Sequence, residues 1–129
     1  MSTTPHISVV DDDVSVRESL WGFFRSMGFA VDTFASAEEF LSSDASRVCD
    51  CIILDFGMPG MSGLDLQRLL KANQSSIPIV FITASDDGDL RSQVLEGGAV
   101  AFLVKPFGDE ALLNAVQSVF NGRLKSDGE

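Results

Sequence analysis

Leu54-Asp55-Phe56-Gly57-Met58-Pro59-Gly60-Met61-Ser62-Gly63 decides the reading of this chain, because a carboxylate closes an apolar run and opens a loop rich in proline and glycine. An earlier run, residues 7–10, also ends in acids, Asp11-Asp12-Asp13. Later runs end in Thr83 and in Lys105-Pro106. If these runs are neighbouring parallel strands, their carboxyl ends open on one edge of the sheet, where three acids, a hydroxyl and an ammonium converge. Such a set suits a metal ion and a phosphate, with Asp55 placed as a nucleophile.

Working outward, the short runs 7–10, 30–34, 51–54, 79–83 and 100–104 are rich in Val, Ile and Phe and read as strands. Segments with helical spacing separate them. Val16, Leu20, Phe23, Phe24 and Met27 recur at steps of three and four, as do Leu66, Leu69 and Leu70, then Leu90, Val94 and Leu95. Leu112, Val116, Val119 and Phe120 make a last apolar face. Gly28 and Gly122 stand where a left-handed helix end is wanted, and Ser36-Ala37-Glu38-Glu39 is a capping box opening a short second helix. Near-continuous apolar strands alternating with helices predict an α/β domain with a parallel sheet covered on both faces. The expected form is flavodoxin-like, a doubly wound five-stranded sheet of order 2-1-3-4-5. In that order the chain reverses direction between the first and third strands, so the ligand crevice falls between Asp11-Asp12 and Asp55.

At 129 residues the chain makes one domain, large enough to bury about two-thirds of its unfolded surface. Nineteen acids against nine bases give a formal charge of −10, a field that repels nucleic acid and anionic lipid. The apolar stretches fall far short of a membrane span, and Met1-Ser2-Thr3-Thr4-Pro5-His6 lacks the pattern of a signal peptide, so a cytoplasmic protein with no membrane partner is expected. Cys49 and Cys51, with one distant His, supply too few soft ligands for zinc. Both read as reduced thiols, Cys51 as core packing, and His6 as a solvated residue of the N-terminal arm. Residues 123–129 carry too little apolar content to pack and fit either a free end or the start of a linker.

Three ionised carboxylates within roughly 4 Å repel one another by about 4 kcal/mol per pair at an effective dielectric near 20. A cation must relieve this. Hard oxygen ligands with room for water favour magnesium, which is held by one or two carboxylates plus phosphate oxygens. Lys105 adds a fixed positive charge for phosphoryl oxygens and Thr83 a hydroxyl donor. Singly, Asp11–Asp13 reads as a helix cap, Thr83 as a strand former and Lys105 as a solvated end; their joint placement favours the site.

The elements Val9-Val10-Asp11-Asp12-Asp13, Asp55 to Gly63, Ile82-Thr83-Ala84 and Phe102-Leu103-Val104-Lys105-Pro106-Phe107 resemble the receiver domain of two-component response regulators, from Ile7 to about Gly122. Gly28-Phe29-Ala30-Val31 and Ser36-Ala37-Glu38-Glu39-Phe40-Leu41 are most similar to receivers joined to LuxR-type DNA-binding domains, such as the nitrogen-fixation regulator. The resemblance implies a receiver over residues 1–122 and a flexible tail or linker over 123–129. It implies that Asp55 takes a phosphoryl group from a sensor histidine kinase. Asp12, Asp55 and the Gly57 carbonyl would bind Mg2+ directly and Asp11 mainly through water, while Thr83 and Lys105 grip the phosphoryl group. It further implies a cis Lys105-Pro106 bond and a rotating aromatic at Phe102. The readout would fall on the face of the fourth helix, fifth strand and fifth helix, forming a homodimer or docking an output domain, with DNA reached only through that output domain.

Gly57 and Ser85 are small where many receivers carry longer side chains near the attacking water, so the lifetime of the phosphoryl group does not carry over. Phe56 stands where some relatives have tryptophan, which leaves Trp21, in the first helix, a poor reporter of the metal. Two other functions compete with this self-phosphorylating switch, which is not a turnover enzyme. Asp11-Asp12-Asp13-Val14 also fits the Asp-x-Asp signature of haloacid-dehalogenase-type phosphatases, but their second acidic pair follows the lysine, whereas Asp86-Asp87 precedes Lys105. A phosphorylation-independent interaction module would not need the full set of acids, hydroxyl and lysine.

Overall fold

A computed structural model of the chain describes residues 4–84 and 87–127, with side chains as far as residue 120. Strands β1 (His6–Val10), β2 (Ala30–Phe34), β3 (Cys51–Asp55), β4 (Ile79–Thr83) and β5 (Ala101–Val104) form one parallel sheet of order β2-β1-β3-β4-β5. Register sets Val10 beside both Phe34 and Leu54, Asp55 beside Ile82, and Thr83 beside Val104. The residues that follow these strands therefore emerge along a single edge.

Strand alternation divides the core between the two faces of the sheet. Val10, Ile52, Leu54 and Phe81 pack with Phe40, Leu66 and Val94 on one side. Val9, Ile53, Val80 and Ile82 pack with Leu20, Phe24 and Val116 on the other. Every residue of β3 and β4 is buried, which explains why these strands read as continuous apolar runs rather than alternating ones.

Helix α1 (Val14–Ser26) begins where Asp13 accepts the Ser15 N–H at 2.9 Å and ends at Gly28, φ 93°, with Phe29 donating to the Phe24 carbonyl and Gly28 to that of Arg25, both at 3.1 Å. That is the glycine-terminated end the sequence predicts. Met27 is exposed, outside the apolar face assigned to it, and so is Leu95. Spacing gives the axis of a buried stripe but not its width.

Helix α2 (Ala37–Leu41) is the short second helix expected after Ser36, and a further short helix that the sequence did not announce, α3 (Ala45–Val48), follows it. Ser43 and Ser46 hydroxyls donate to the Phe40 and Ser43 carbonyls at 2.7 and 2.9 Å, the local bonding by which serine interrupts a helix. Only half of the predicted capping box is made. Ser36 accepts the Glu39 N–H at 3.0 Å, but the Glu39 carboxylate approaches Ala35 N–H, at 3.5 Å, rather than the cap residue's own.

The remaining helices are α4 (Gly63–Ala72), α5 (Gly88–Glu96) and α6 (Asp109–Asp127). The backbone of α6 runs on past Gly122, so that glycine does not end it. A glycine inside a helix costs only about 1 kcal/mol relative to alanine, which neighbouring residues can absorb. His6 is likewise not in the arm but opens β1, its N–H donating to Asp50 Oδ2 and its carbonyl accepting the Asp50 N–H, both at 2.8 Å. Cys49 and Cys51 are free and buried, and burial pushes the Cys51 thiol up to about 12. Among the described residues, no helix is long and apolar enough to cross a membrane.

Candidate functional site

Asp11 follows β1 and Asp55 closes β3; because these strands are direct neighbours, their side chains come together beyond the sheet. Asp11, Asp12 and Asp55 each present a carboxylate oxygen within 4.8 Å of the others, with Asp11 and Asp55 buried and Asp12 exposed. The Lys105 ammonium arrives from beyond β5, 3.0 Å from Asp11 Oδ2 and 3.4 Å from Asp55 Oδ1. Its own backbone N–H donates to the Thr83 carbonyl at 2.7 Å, which ties the lysine to the end of β4. The Lys105-Pro106 bond is cis, and Thr83 is buried.

The charges act on one another. Burial, followed by the negative charge of Asp11, pushes the Asp55 carboxyl above its ordinary value, against the pull of Lys105 and a hydrogen bond from the Gly57 N–H. Burial by itself would lower the Lys105 ammonium, but its bond to Asp11 and the charges of both acids outweigh this and hold it above its ordinary value. Lys105 is thus fixed as a cation. Asp11 is held twice more: its Oδ1 accepts the Asp13 N–H at 2.9 Å and its carbonyl accepts from Arg17 at 2.8 Å.

Three carboxylates against one ammonium leave two formal negative charges on hard oxygen donors, which fits a divalent ion such as magnesium. The soft donors lie elsewhere, buried around Cys49 and Cys51. Gly57 is exposed, and a Cβ placed on it would meet nothing within 4 Å.

The loop between β3 and α4 is shaped at its far end by Gly63. A Cβ there would come within 2.6 Å of the Asp55 carbonyl and 3.1 Å of the Phe81 ring. Ser62 then opens α4 with a complete capping box, its hydroxyl accepting the Asp65 N–H at 3.1 Å and Asp65 accepting the Ser62 N–H at 3.2 Å. Sequence reading missed this box because the third helical residue is Asp rather than the usual Glu or Gln; serine three before an acid was the available signal.

Phe102 is buried, 4% exposed, with the Arg91 guanidinium of α5 5.9 Å above its ring. Trp21 is 47% exposed and stacks with Arg25 at 5.2 Å on α1. Ser85 and Asp86 lie outside the described residues. Cavities of about 430 and 490 Å³ border residues 73–78, away from the acidic cluster, and contain none of its residues.

Fold and site together define a class: doubly wound α/β domains that gather acids and a lysine beyond the carboxyl ends of their strands. Within that class a family model, the response regulator receiver domain, matches residues 7–117, and the chain belongs to this family. Nodulation protein W of Bradyrhizobium diazoefficiens is 47% identical over 115 residues, covering 89% of this chain and 51% of that protein. Transcriptional regulatory protein FixJ of the same organism is 39% identical over 118 residues, covering 92% of this chain and 58% of FixJ, so FixJ-type relatives are among its kin. The solved structure of response regulator StyR superposes with a TM-score of 0.84 at 42% identity, covering 98% of this chain and 67% of that one. The chain spans about half the length of the curated relatives it matches. None of these matches supports the phosphatase alternative, which also leaves Asp55 without a task.

Proposed function

We propose that this receiver takes a phosphoryl group from the phosphohistidine of a sensor histidine kinase onto Asp55. The observation that supports this most is the placing of the Asp55 carboxylate, at the end of β3, against both the Lys105 ammonium at 3.4 Å and the other two acids. A carboxylate oxygen attacks phosphorus, the new O–P bond forms as the N–P bond of the donor breaks, and the imidazole keeps the electron pair. Lys105 turns from Asp55 toward the phosphoryl oxygens while retaining Asp11, and the Thr83 hydroxyl donates to another of them. Asp12, Asp55 and the Gly57 carbonyl would hold magnesium directly, with Asp11 acting mainly through water. When bound, the ion neutralises charge on the transferring group.

The readout surface is α5, β5 and α6. Thr83 leads into α5, Phe102 lies in β5, and Arg91 of α5 covers its ring. Closure of Thr83 on the phosphoryl group and the setting of Phe102 would together change this face, which then pairs with a second copy or docks an output domain. The receiver covers residues 1–122, and 123–129 lead toward such a domain. FixJ, a transcriptional regulatory protein, extends beyond its match to this chain, which covers 58% of it. DNA is accordingly reached only through an output domain, in the cytoplasm, by a signalling switch that gains and loses its own phosphoryl group.

With magnesium and acetyl phosphate or phosphoramidate, intact-mass measurement should find one added phosphoryl group on the wild type and none on Asp55→Asn. Equal labelling of both would sink the assignment of Asp55.

A further inference from the structure

The loop from Phe56 to Ser62 carries Gly57 and is held at separate points. Phe56 accepts the Gly63 N–H at 3.1 Å, closing the loop at its base, and Met58 is buried in the core under it. The third hold comes from another layer of the molecule. Glu38, in the first turn of α2, accepts the Met61 N–H on Oε2 at 3.3 Å, across 23 residues of sequence. Gly60 makes this approach feasible, since it takes φ 75° and a Cβ there would lie 3.2 Å from the same carboxylate oxygen. Glu39, next to it, points elsewhere, toward Ala35. Glu38 therefore bonds to the rim of the loop while contributing no ligand atom to the acidic cluster.

We propose that Glu38 is a positioning residue for magnesium: by accepting the Met61 N–H it fixes the loop that carries Gly57, and so sets the affinity of the site. This rests on the reading of the site given above. The effect is assigned to the bond and not to the negative charge of the carboxylate. A glutamine can accept the same N–H, whereas an alanine cannot.

The test is calorimetric titration of magnesium into wild type, Glu38→Ala, Glu38→Gln, Glu39→Ala and Asp12→Ala, alongside hydrogen exchange at the Met61 amide without metal. Glu38→Ala should bind roughly threefold to tenfold more weakly and exchange Met61 faster. Glu38→Gln and Glu39→Ala should stay within about twofold of wild type. The proposal is overturned if Glu38→Ala binds as wild type does, if Glu38→Gln weakens as much as Glu38→Ala, or if Glu39→Ala matches that loss, which would trace the effect to the stability of α2. Failure of the underlying site reading looks different: wild type and Asp12→Ala would then bind magnesium equally poorly, and the role of Glu38 would fall with it.

Discussion

Lys105 serves two carboxylates, yet its single charge does not balance them, and Asp55 carries the consequence. Burial and Asp11 raise its pKa above the ordinary 3.8, so the folded state holds the Asp55 proton more firmly than the unfolded chain does. A group shifted this way contributes stability in full below its unfolded value and loses it as the pH rises through its folded value. At neutral pH the ionised Asp55 therefore opposes folding. Without metal, Asp55→Asn should melt higher than wild type at pH 7, on the order of 2–5 °C. The gain should shrink as the pH falls through the folded pKa toward 3.8, where Asp55 is itself neutral. Lys105 keeps Asp11 in the variant, so no charge is orphaned. An Asn variant that melts lower than wild type at pH 7 would show that the lysine, not burial, governs Asp55.

Among the elements, the β3–α4 loop is the one whose geometry constrains sequence most tightly. Gly63→Ala places a methyl 2.6 Å from the Asp55 carbonyl, and backbone on that side has nowhere to go. We expect a loss of about 1–3 kcal/mol in denaturant melts together with weaker phosphorylation, since the carbonyl belongs to the proposed phosphoacceptor; an unchanged melt would mean that the loop yields freely. This loop was legible in sequence as Pro/Gly-rich, as was the order of strands, because buried parallel strands and Gly28 leave strong local marks. What could not be read depends on tertiary context or on competition between weak signals. The short helix α3, after Ser42, Ser43 and Asp44, left no periodic mark, and Glu38 looked like part of a helix start until the fold brought Met61 beside it. The acids, Thr83 and Lys105 were legible as strand-end residues, but the shared grip of Lys105 on Asp11 and Asp55 required the sheet.

Over the whole molecule, the question is how an event at Asp55 reaches α5. Moving a two-state domain from mostly inactive to mostly active takes about 5.5 kcal/mol of differential interaction. New contacts from both Thr83 and Lys105 to a phosphoryl group would have to act jointly to supply it. Hydrogen exchange on phosphorylated and unmodified protein should then change across residues 87–107, and Thr83→Ala should accept phosphate yet lose that change. Protection confined to the loops after β1 and β3 would rule this mechanism out. The sheet order gives such transmission a mechanical aspect. Lys105 is attached to an edge strand but ends among groups carried by β3 and β1, two and three places inward, with neighbouring strands about 4.8 Å apart. It works as a tie-rod drawn across the open end of the sheet from its rim to its centre, so that when one anchorage changes its charge, the tension on the far margin changes with it.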